Sequence, residues 1–179
     1  MRAFNGWVMP LLAYTFGIVR WTQTELDSVD RQIRKLLTTY RMHHPRSSVM
    51  RLYIPRKCGG RGFLNVKNLH NHEVCSLREY FLKIDVDMHK DVVTVDKGLT
   101  PLSLGKENWR RPVVLTTSNR MAVWKSKELH GRFHRALVGQ DVDTASSLSW
   151  LQFGDLFGET EGFVCAIMDE VIKTRNYIL

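Results

Sequence analysis

The chain has 179 residues, of which 44% are hydrophobic and 25% charged, and its formal net charge at pH 7 is +8. This composition excludes an intrinsically disordered chain, and the length suits one or two small domains that each bury a hydrophobic core. The cysteines Cys58, Cys75 and Cys165 have no paired spacing. They argue against a secreted disulfide framework and favour a reducing, intracellular compartment.

The positive charge is concentrated in the first half of the chain. Residues 1–84 carry a net charge of +9, residues 85–136 carry +4, and residues 137–179 carry −5. A basic front and an acidic rear predict that only one end of the protein faces a polyanion.

The first predicted elements are two helices. Residues 2–19 are bulky and apolar with Pro10 in the middle, which predicts a core helix with a kink or break at the proline. The segment is too short to span a bilayer. Thr22 and Glu25 have the spacing of a capping box at the start of the next helix, predicted over 24–42. Its apolar stripe consists of Leu26, Val29, Ile33, Leu36, Leu37 and Tyr40.

Further helices are predicted over 47–53, from Asn65 to about Lys83, near 120–124 and 128–138, over 144–152, and from Thr160 to about Asn176. The last of these is predicted to bury Phe163, Val164, Ile167, Val171 and Ile172. Residues 85–108 read as an irregular connector in which DVVTV could form a short strand. The predicted fold is therefore mainly α, with minor strand content at most.

The stretch from Arg31 to Arg61 contains no acidic residue and is typical of a surface that binds nucleic acid phosphates. The candidate binding residues on its predicted helix and the turn after it are Arg31, Arg34, Lys35, Arg41, His43, His44 and Arg46. The alternative for the helix is a solvated charged face. For the His-His-Pro-Arg-Ser-Ser turn, the alternative is a helix stop followed by a serine N-cap.

The segment Pro55–Phe63, here called the basic loop, combines cations with glycines. Its candidate residues are Arg56, Lys57, Gly59, Gly60 and Arg61. Glycine lets backbone amides approach an anion closely, so the loop could contact RNA or DNA. The alternative is a structural turn. The loop lacks the Gly-Lys-Ser/Thr ending of a Walker loop.

Three other groups of residues favour structural roles. His70, His72 and Cys75, with Cys58 upstream, have no Cys-x-x-Cys partner and only weakly suggest zinc. Glu159 and Glu161 flank a helix start, where carboxylates complement the helix dipole. The indoles of Trp109, Trp124 and Trp150 could stack on bases, but they more often anchor a small core. We predict no cofactor and no metal.

Several stretches together resemble a known family. They are MPLLAYTFGIVRWTQTELDSVDRQIRKLL, RMHHPRSSVMRLYIPR and GGRGFLNVKNLHN, followed by WKSKELHGRF, WLQFGDL and ETEGFVCAI. They resemble the C-terminal part, thumb plus linker, of the reverse transcriptase of site-specific non-LTR retrotransposons, the kind that insert in ribosomal RNA genes. The resemblance covers nearly all of the chain. It implies a helical thumb domain at 1–84, the connector at 85–108 and a helical linker domain at 109–179.

The resemblance also implies a function. In such polymerases the thumb lays a helix along the template–primer, and Arg31, Arg34, Lys35 and Arg41 match that helix. Palm and fingers would lie before residue 1, and zinc-knuckle and endonuclease segments after residue 179. The chain has no Asp-Asp pair to hold catalytic metal ions, so we expect no enzyme activity from it alone. An exposed apolar patch is expected where the palm would dock.

The sequence thus predicts a non-catalytic fragment that binds the backbone of RNA and DNA, in the nucleus or a cytoplasmic ribonucleoprotein. The missing palm domain or a basic protein are possible further partners. Neither a membrane nor a small-molecule substrate is expected. The alternative hypothesis is a structural or protein-interaction module retained from a retroelement, whose acidic C-terminal part docks a basic partner.

Overall fold

The computed structural model describes residues 3–139 and 141–172. Within these ranges the protein has nine α-helices and no strand, which confirms the prediction of a mainly α fold. The helices are α1 Met9–Thr15, α2 Gln23–Thr39, α3 Val49–Tyr53, α4 Val66–Lys83, α5 Asp87–Val95, α6 Thr117–Ser126, α7 Arg132–Ala136, α8 Thr144–Phe153 and α9 Gly158–Met168. A π-helical turn, Phe4–Val8, precedes α1, and a 3-10 turn, Arg56–Cys58, follows α3.

The chain folds into two compact units, each built from segments that are distant in sequence. The α9 unit joins Arg31–Phe63 to the segment that begins at Leu115, and the α4 unit joins the residues up to Asp30 to Leu64–Val114. These units interleave along the chain, whereas the predicted division at 84 and 109 follows chain order. That division into a thumb and a linker domain stays a prediction.

Side-chain caps explain where the longest helices begin. The backbone N–H of Thr22 donates to Oε2 of Glu25 at 2.8 Å, and the Glu25 N–H donates to Oγ1 of Thr22 at 3.2 Å. This confirms the predicted capping box, and the hydrogen bonds from Thr22 lower the pKa of Glu25. Asn65 likewise caps α4, because its Oδ1 accepts from the Asn68 N–H at 2.9 Å.

The buried face of α2 is narrower than the sequence suggests. Leu26, Ile33 and Leu37 are buried as predicted, but Leu36 is 52% and Tyr40 62% exposed. At about 100° per residue, Leu36 is displaced by about 80° and Tyr40 by about 40° from the centre of the face that Leu26, Ile33 and Leu37 form, and Tyr40 follows the last residue of α2. Their place in the predicted stripe is therefore wrong.

The N-terminal helix is also less buried than predicted. Met9 and Phe16 are buried, but Trp7, Leu11 and Tyr14 are 77%, 73% and 81% exposed. The predicted break at Pro10 coincides with the change from π-helix to α-helix, since Pro10 lies in the first turn of α1. The prediction of a core helix is wrong for the face that carries Trp7, Leu11 and Tyr14, because no other part of the same unit packs against it.

The predicted irregular connector 85–108 contains a helix, α5, and DVVTV lies in that helix rather than in a strand. The turn after α5 is organised by Asp96, whose carboxylate accepts from the N–H groups of Thr100 and Leu104, both at 2.9 Å. Burial raises the pKa of Asp96, but these hydrogen bonds outweigh it and bring the value down to about 2. The connector is thus ordered by a buried carboxylate that the sequence reading did not single out.

The core of the α9 unit forms around α8 and α9. Leu148, Leu151 and Cys165 are fully buried and pack together with Leu137. Trp124 is 1% exposed, which fits the structural role expected for it. Helix α9 buries Cys165, Ala166 and Met168 instead of the predicted Phe163 and Ile167, which are 55% and 46% exposed. Helix α9 ends at Met168, and Glu170 has a left-handed φ of 55°, so the predicted continuation of the helix is wrong over 169–172; the predicted end near Asn176 lies outside the described residues.

None of the helices in the described residues has both the length and the hydropathy needed to cross a bilayer.

Candidate nucleic-acid interface

Two candidate cations project from the solvent side of α2. Arg31 and Lys35 are exposed, and they lie one helical turn apart on the side opposite Ile33 and Leu37, which are buried. In the part of the chain that the structure describes, no carboxylate lies within ion-pair distance of either side chain. Their charge is therefore available to an external anion.

Arg34 is placed differently from its neighbours on α2. It is half-buried, and its Nη1 donates to the hydroxyl of Tyr53 at 2.9 Å. Tyr53 is itself buried in α3. Arg34 therefore helps to fix α2 against α3, and its guanidinium is only partly accessible to a phosphate.

Beyond α2, Arg41 and Arg46 are exposed. Arg41 has a φ of 55°, a left-handed conformation that is unusual for a residue with a side chain and that turns the backbone out of the helix. Lys57 is exposed in the 3-10 turn of the basic loop. The described residues place no carboxylate within ion-pair distance of these three cations.

The two histidines of the His-His-Pro turn differ in their environment. His43 is only 6% exposed, and burial, together with the nearby charges of Arg61 and Arg34, lowers its pKa to about 4. His43 is therefore neutral at pH 7 and sits in the interior rather than at a phosphate. His44 is half-buried, and its Nδ1 accepts from the N–H of Arg46 at 3.2 Å. The serine N-cap proposed for this turn is Ser48, which precedes α3 without a side-chain capping bond.

The backbone amides of the basic loop donate to the protein's own carbonyl groups. The N–H groups of Gly59 and Gly60 donate to Arg56 and Pro55, at 3.0 and 3.2 Å, and those of Arg61 and Gly62 donate to Arg51 and Ile54, at 3.0 and 2.8 Å. A loop that binds an anion needs amides that point outward without a partner. The predicted anion-binding role of this backbone is therefore not supported.

Gly59 and Gly60 serve the packing of the loop. Gly59 has a φ of 84° and lies against Leu148 and Trp124. At Gly60 a Cβ atom would lie 2.0 Å from the carbonyl oxygen of Ile54, so any side chain would collide with the backbone. Both glycines are thus explained by a tight structural turn, which was the alternative reading of this loop.

The arginines of the basic loop bind a carboxylate of the acidic rear segment. Arg61 is 2% exposed, and its Nε donates to Oε1 of Glu161 at 2.9 Å, while Nη2 of Arg56 donates to Oε2 at 2.6 Å. Arg61 also donates to the carbonyl groups of Met42 and Gly158. Each carboxylate oxygen of Glu161 thus accepts a hydrogen bond from one arginine. The carboxylate neutralises part of the positive charge that the sequence analysis assigns to nucleic-acid binding. Arg61 is inaccessible to a phosphate outside the protein.

Sequence reasoning missed a second buried ion pair of this unit. Arg51 is 1% exposed, and its Nη1 donates to Oδ1 of Asp169 at 3.1 Å and to the carbonyl of Cys165 at 3.0 Å. The other carboxylate oxygen of Asp169 accepts from the Ser48 N–H at 3.0 Å. The indole ring of Trp124 covers the guanidinium at 5.4 Å. The opposite charges of the front and rear segments were the available signal, but they were interpreted as docking to a separate basic partner.

The weak zinc hypothesis gains no support from the geometry. Among the described residues, no group of three or more histidine, cysteine or carboxylate side chains is arranged to hold a metal ion. His70 is buried and stacks edge-on against Phe16, with ring centroids 5.0 Å apart. Burial lowers the pKa of His70, as expected for a neutral core histidine.

Five candidate cations are exposed and have no carboxylate partner among the described residues: Arg31, Lys35, Arg41, Arg46 and Lys57, here called the cation face, of which Arg31 and Lys35 share one side of α2. All five belong to the α9 unit.

The chain matches no family model, no curated protein and no solved structure at a significant level.

Proposed function

We propose that this protein is a non-catalytic nucleic-acid-binding fragment of a retrotransposon reverse transcriptase. The cation face binds the sugar–phosphate backbone of an RNA–DNA template–primer, and α2 lies along the duplex. In this proposal the protein catalyses no reaction by itself, and it contributes affinity for the template–primer. Its working location in this proposal is the nucleus or a cytoplasmic ribonucleoprotein.

One observation carries the proposal. Arg31 and Lys35 stand on the solvent side of α2 without a carboxylate partner among the described residues, while other arginines of the same stretch are paired internally. Arg61 is buried and needs its carboxylate partner, whereas Arg31 and Lys35 are exposed and keep their charge available to an external anion. An exposed, unpaired cationic helix face fits a ligand with phosphates at regular spacing.

A salt titration tests the proposal. The affinity of the full chain for a primed RNA–DNA hybrid is measured at several salt concentrations, for wild type and for the double variant Arg31→Ala/Lys35→Ala. If each side chain contacts one phosphate, the slope of log affinity against log salt becomes shallower by about two units, because fewer counterions are released.

A matched control separates local contacts from overall charge. Lys97 and Lys106 are exposed and lie in the α4 unit, so Lys97→Ala/Lys106→Ala removes the same charge from a surface outside the cation face. The control is expected to leave the slope nearly unchanged. Equal slopes for the two double variants, or no binding of wild type at low salt, would contradict the proposal.

The alternative, a protein-interaction module, is favoured by one other observation. Trp7, Leu11 and Tyr14 have helical spacing and are 77%, 73% and 81% exposed, in a segment without charge between residues 3 and 19. Large aromatic residues without cover are typical of protein interfaces. If wild type does not bind the hybrid but self-associates, and Trp7→Ser/Leu11→Ser abolishes the association, this alternative replaces the first proposal.

A further inference from the structure

A groove lies in the α9 unit between α9 and the chain that leaves α2. Its volume is about 470 Å³, and its walls include Phe163, Ala166 and Ile172 on one side and Arg41 and His44 on the other. Glycine makes the close approach of the two walls possible. At Gly162 a Cβ atom would lie 2.5 Å from the carbonyl oxygen of Met42.

The groove has an exposed aromatic wall. Phe163 is 55% exposed although it stands on a helix whose neighbouring residues Cys165 and Ala166 are buried. A half-exposed phenyl ring beside a concave apolar surface offers a flat face on which another planar group can stack. This pattern suits a ligand with one flat, mainly apolar part.

One arginine lies on the rim of the groove, just after the end of α2. Arg41 lines the groove from a left-handed backbone conformation with a φ of 55°. A glycine would adopt this conformation without strain, so an arginine here points to a use for its side chain. Arg31 and Lys35 precede Arg41 in the chain, on α2, and Arg41 belongs both to the cation face and to the lining of the groove.

The carboxylate of Glu159 lies on the opposite side, in the wall formed by α9. It repels phosphate, so the anionic part of a ligand belongs on the Arg41 side. A carboxylate at this place can also accept hydrogen bonds from N–H groups at the edge of a nucleobase. Charge and shape therefore place a phosphate at one rim and a base inside the groove.

We propose that this groove binds one unpaired nucleobase of a single-stranded extension whose adjoining duplex lies on the cation face. The base stacks on Phe163, and Arg41 contacts its phosphate. This inference rests on the proposed function, because the cation face must first hold the duplex.

The test compares two RNA–DNA hybrids that differ only in a short single-stranded extension, which is either normal or abasic. Both carry the same phosphates, so any difference in affinity comes from the bases. We expect wild type to bind the normal extension about tenfold more tightly than the abasic one, as is typical of stacking on an aromatic side chain. Phe163→Ala removes this difference and keeps the affinity for the abasic hybrid.

Two further variants complete the design. Phe163→Tyr retains an aromatic face and is expected to keep the preference for bases. Phe153→Ala removes an 82% exposed phenylalanine outside the groove and is also expected to keep it. Equal binding of normal and abasic extensions by wild type overturns the inference alone, as would loss of the preference in Phe153→Ala. Absence of any hybrid binding at low salt overturns the proposed function and this inference together.

Discussion

Arg61 and Glu161 are separated by 100 residues in sequence, yet Nε of the arginine donates to Oε1 of the glutamate at 2.9 Å. Both side chains are buried, and Arg56 binds the second carboxylate oxygen. The acidic rear of the chain thus folds onto the basic loop. Arg56 and Arg61 look like nucleic-acid contacts in the sequence but pair with Glu161, whereas Lys57 of the same loop stays exposed.

Glu161→Gln is expected to destabilise the protein strongly. The amide cannot neutralise two guanidinium groups, and Arg61 would keep an uncompensated charge in a buried position. Breaking a buried pair in this way costs about 3–5 kcal/mol, which equilibrium unfolding in urea would measure.

Glu159→Gln provides the control for that measurement. Glu159 is exposed on the same helix, two residues before Glu161. Its substitution should change the free energy of unfolding by no more than about 0.5 kcal/mol. Similar losses for the two variants would show that helix charge, rather than the buried pair, is responsible.

Gly60→Ala is expected to destabilise the basic loop. The new Cβ atom would lie 2.0 Å from the Ile54 carbonyl oxygen, and backbone cannot move aside as a flexible side chain can. Overpacking of this kind costs about 1–3 kcal/mol or more, which thermal or urea unfolding would detect. Gly6→Ala is the control, because a Cβ there meets nothing within 4 Å. Gly6→Ala should be neutral or stabilising, by up to about 1 kcal/mol.

The stability of the protein is expected to fall as the pH drops through the range in which His43 titrates in the unfolded chain. The unfolded histidine has a pKa of 6.5, whereas burial lowers the folded value to about 4. Between these values the unfolded state binds the extra proton, so acid favours unfolding. The contribution of His43 is fully present above pH 6.5 and is lost by about 2 kcal/mol at pH 5.

Unfolding of wild type and His43→Gln at pH 7.5 and pH 5 in urea measures this effect. His70 and His134 also have pKa values lowered by burial, so the variant keeps part of the acid sensitivity. The difference between the two proteins isolates the share of His43. An unchanged pH dependence in His43→Gln would contradict the buried, neutral state of this side chain.

Arg41→Gly is expected to stabilise the fold and weaken nucleic-acid binding. Arg41 adopts a φ of 55°, which costs a residue with a Cβ atom about 1–2 kcal/mol and costs glycine little. The unfolded chain has more backbone entropy with glycine than with arginine at this position, and folding loses that entropy. This offsets part of the gain, so a net stabilisation of about 0.5–1 kcal/mol is expected. Urea unfolding and hybrid affinity measured on one sample check both effects. A less stable variant would show that the arginine side chain makes contacts that hold the turn.

Local interactions were predicted well because their chemistry is contained in a few neighbouring residues. The capping box of Thr22 and Glu25 and the Asn65 cap both form as their spacing indicates. Helix α4 ends at Lys83, where its apolar periodicity stops. Local patterns do not predict whether a given cation is buried or exposed, since Arg61 and Arg46 look equivalent in the sequence. One is buried against Glu161, and the other is exposed.

The sequence by itself determined a mainly α chain with a basic front and an acidic rear, because helix periodicity, capping and net charge depend on composition over short ranges. Tertiary structure alone decided which charges meet. Pairing of Arg51 with Asp169 and of Arg61 with Glu161 joins residues that are 118 and 100 positions apart. Burial makes an unpaired charge costly, so the buried Arg51 and Arg61 each have a carboxylate partner, whereas Arg31 and Lys35 are exposed on α2 and need none.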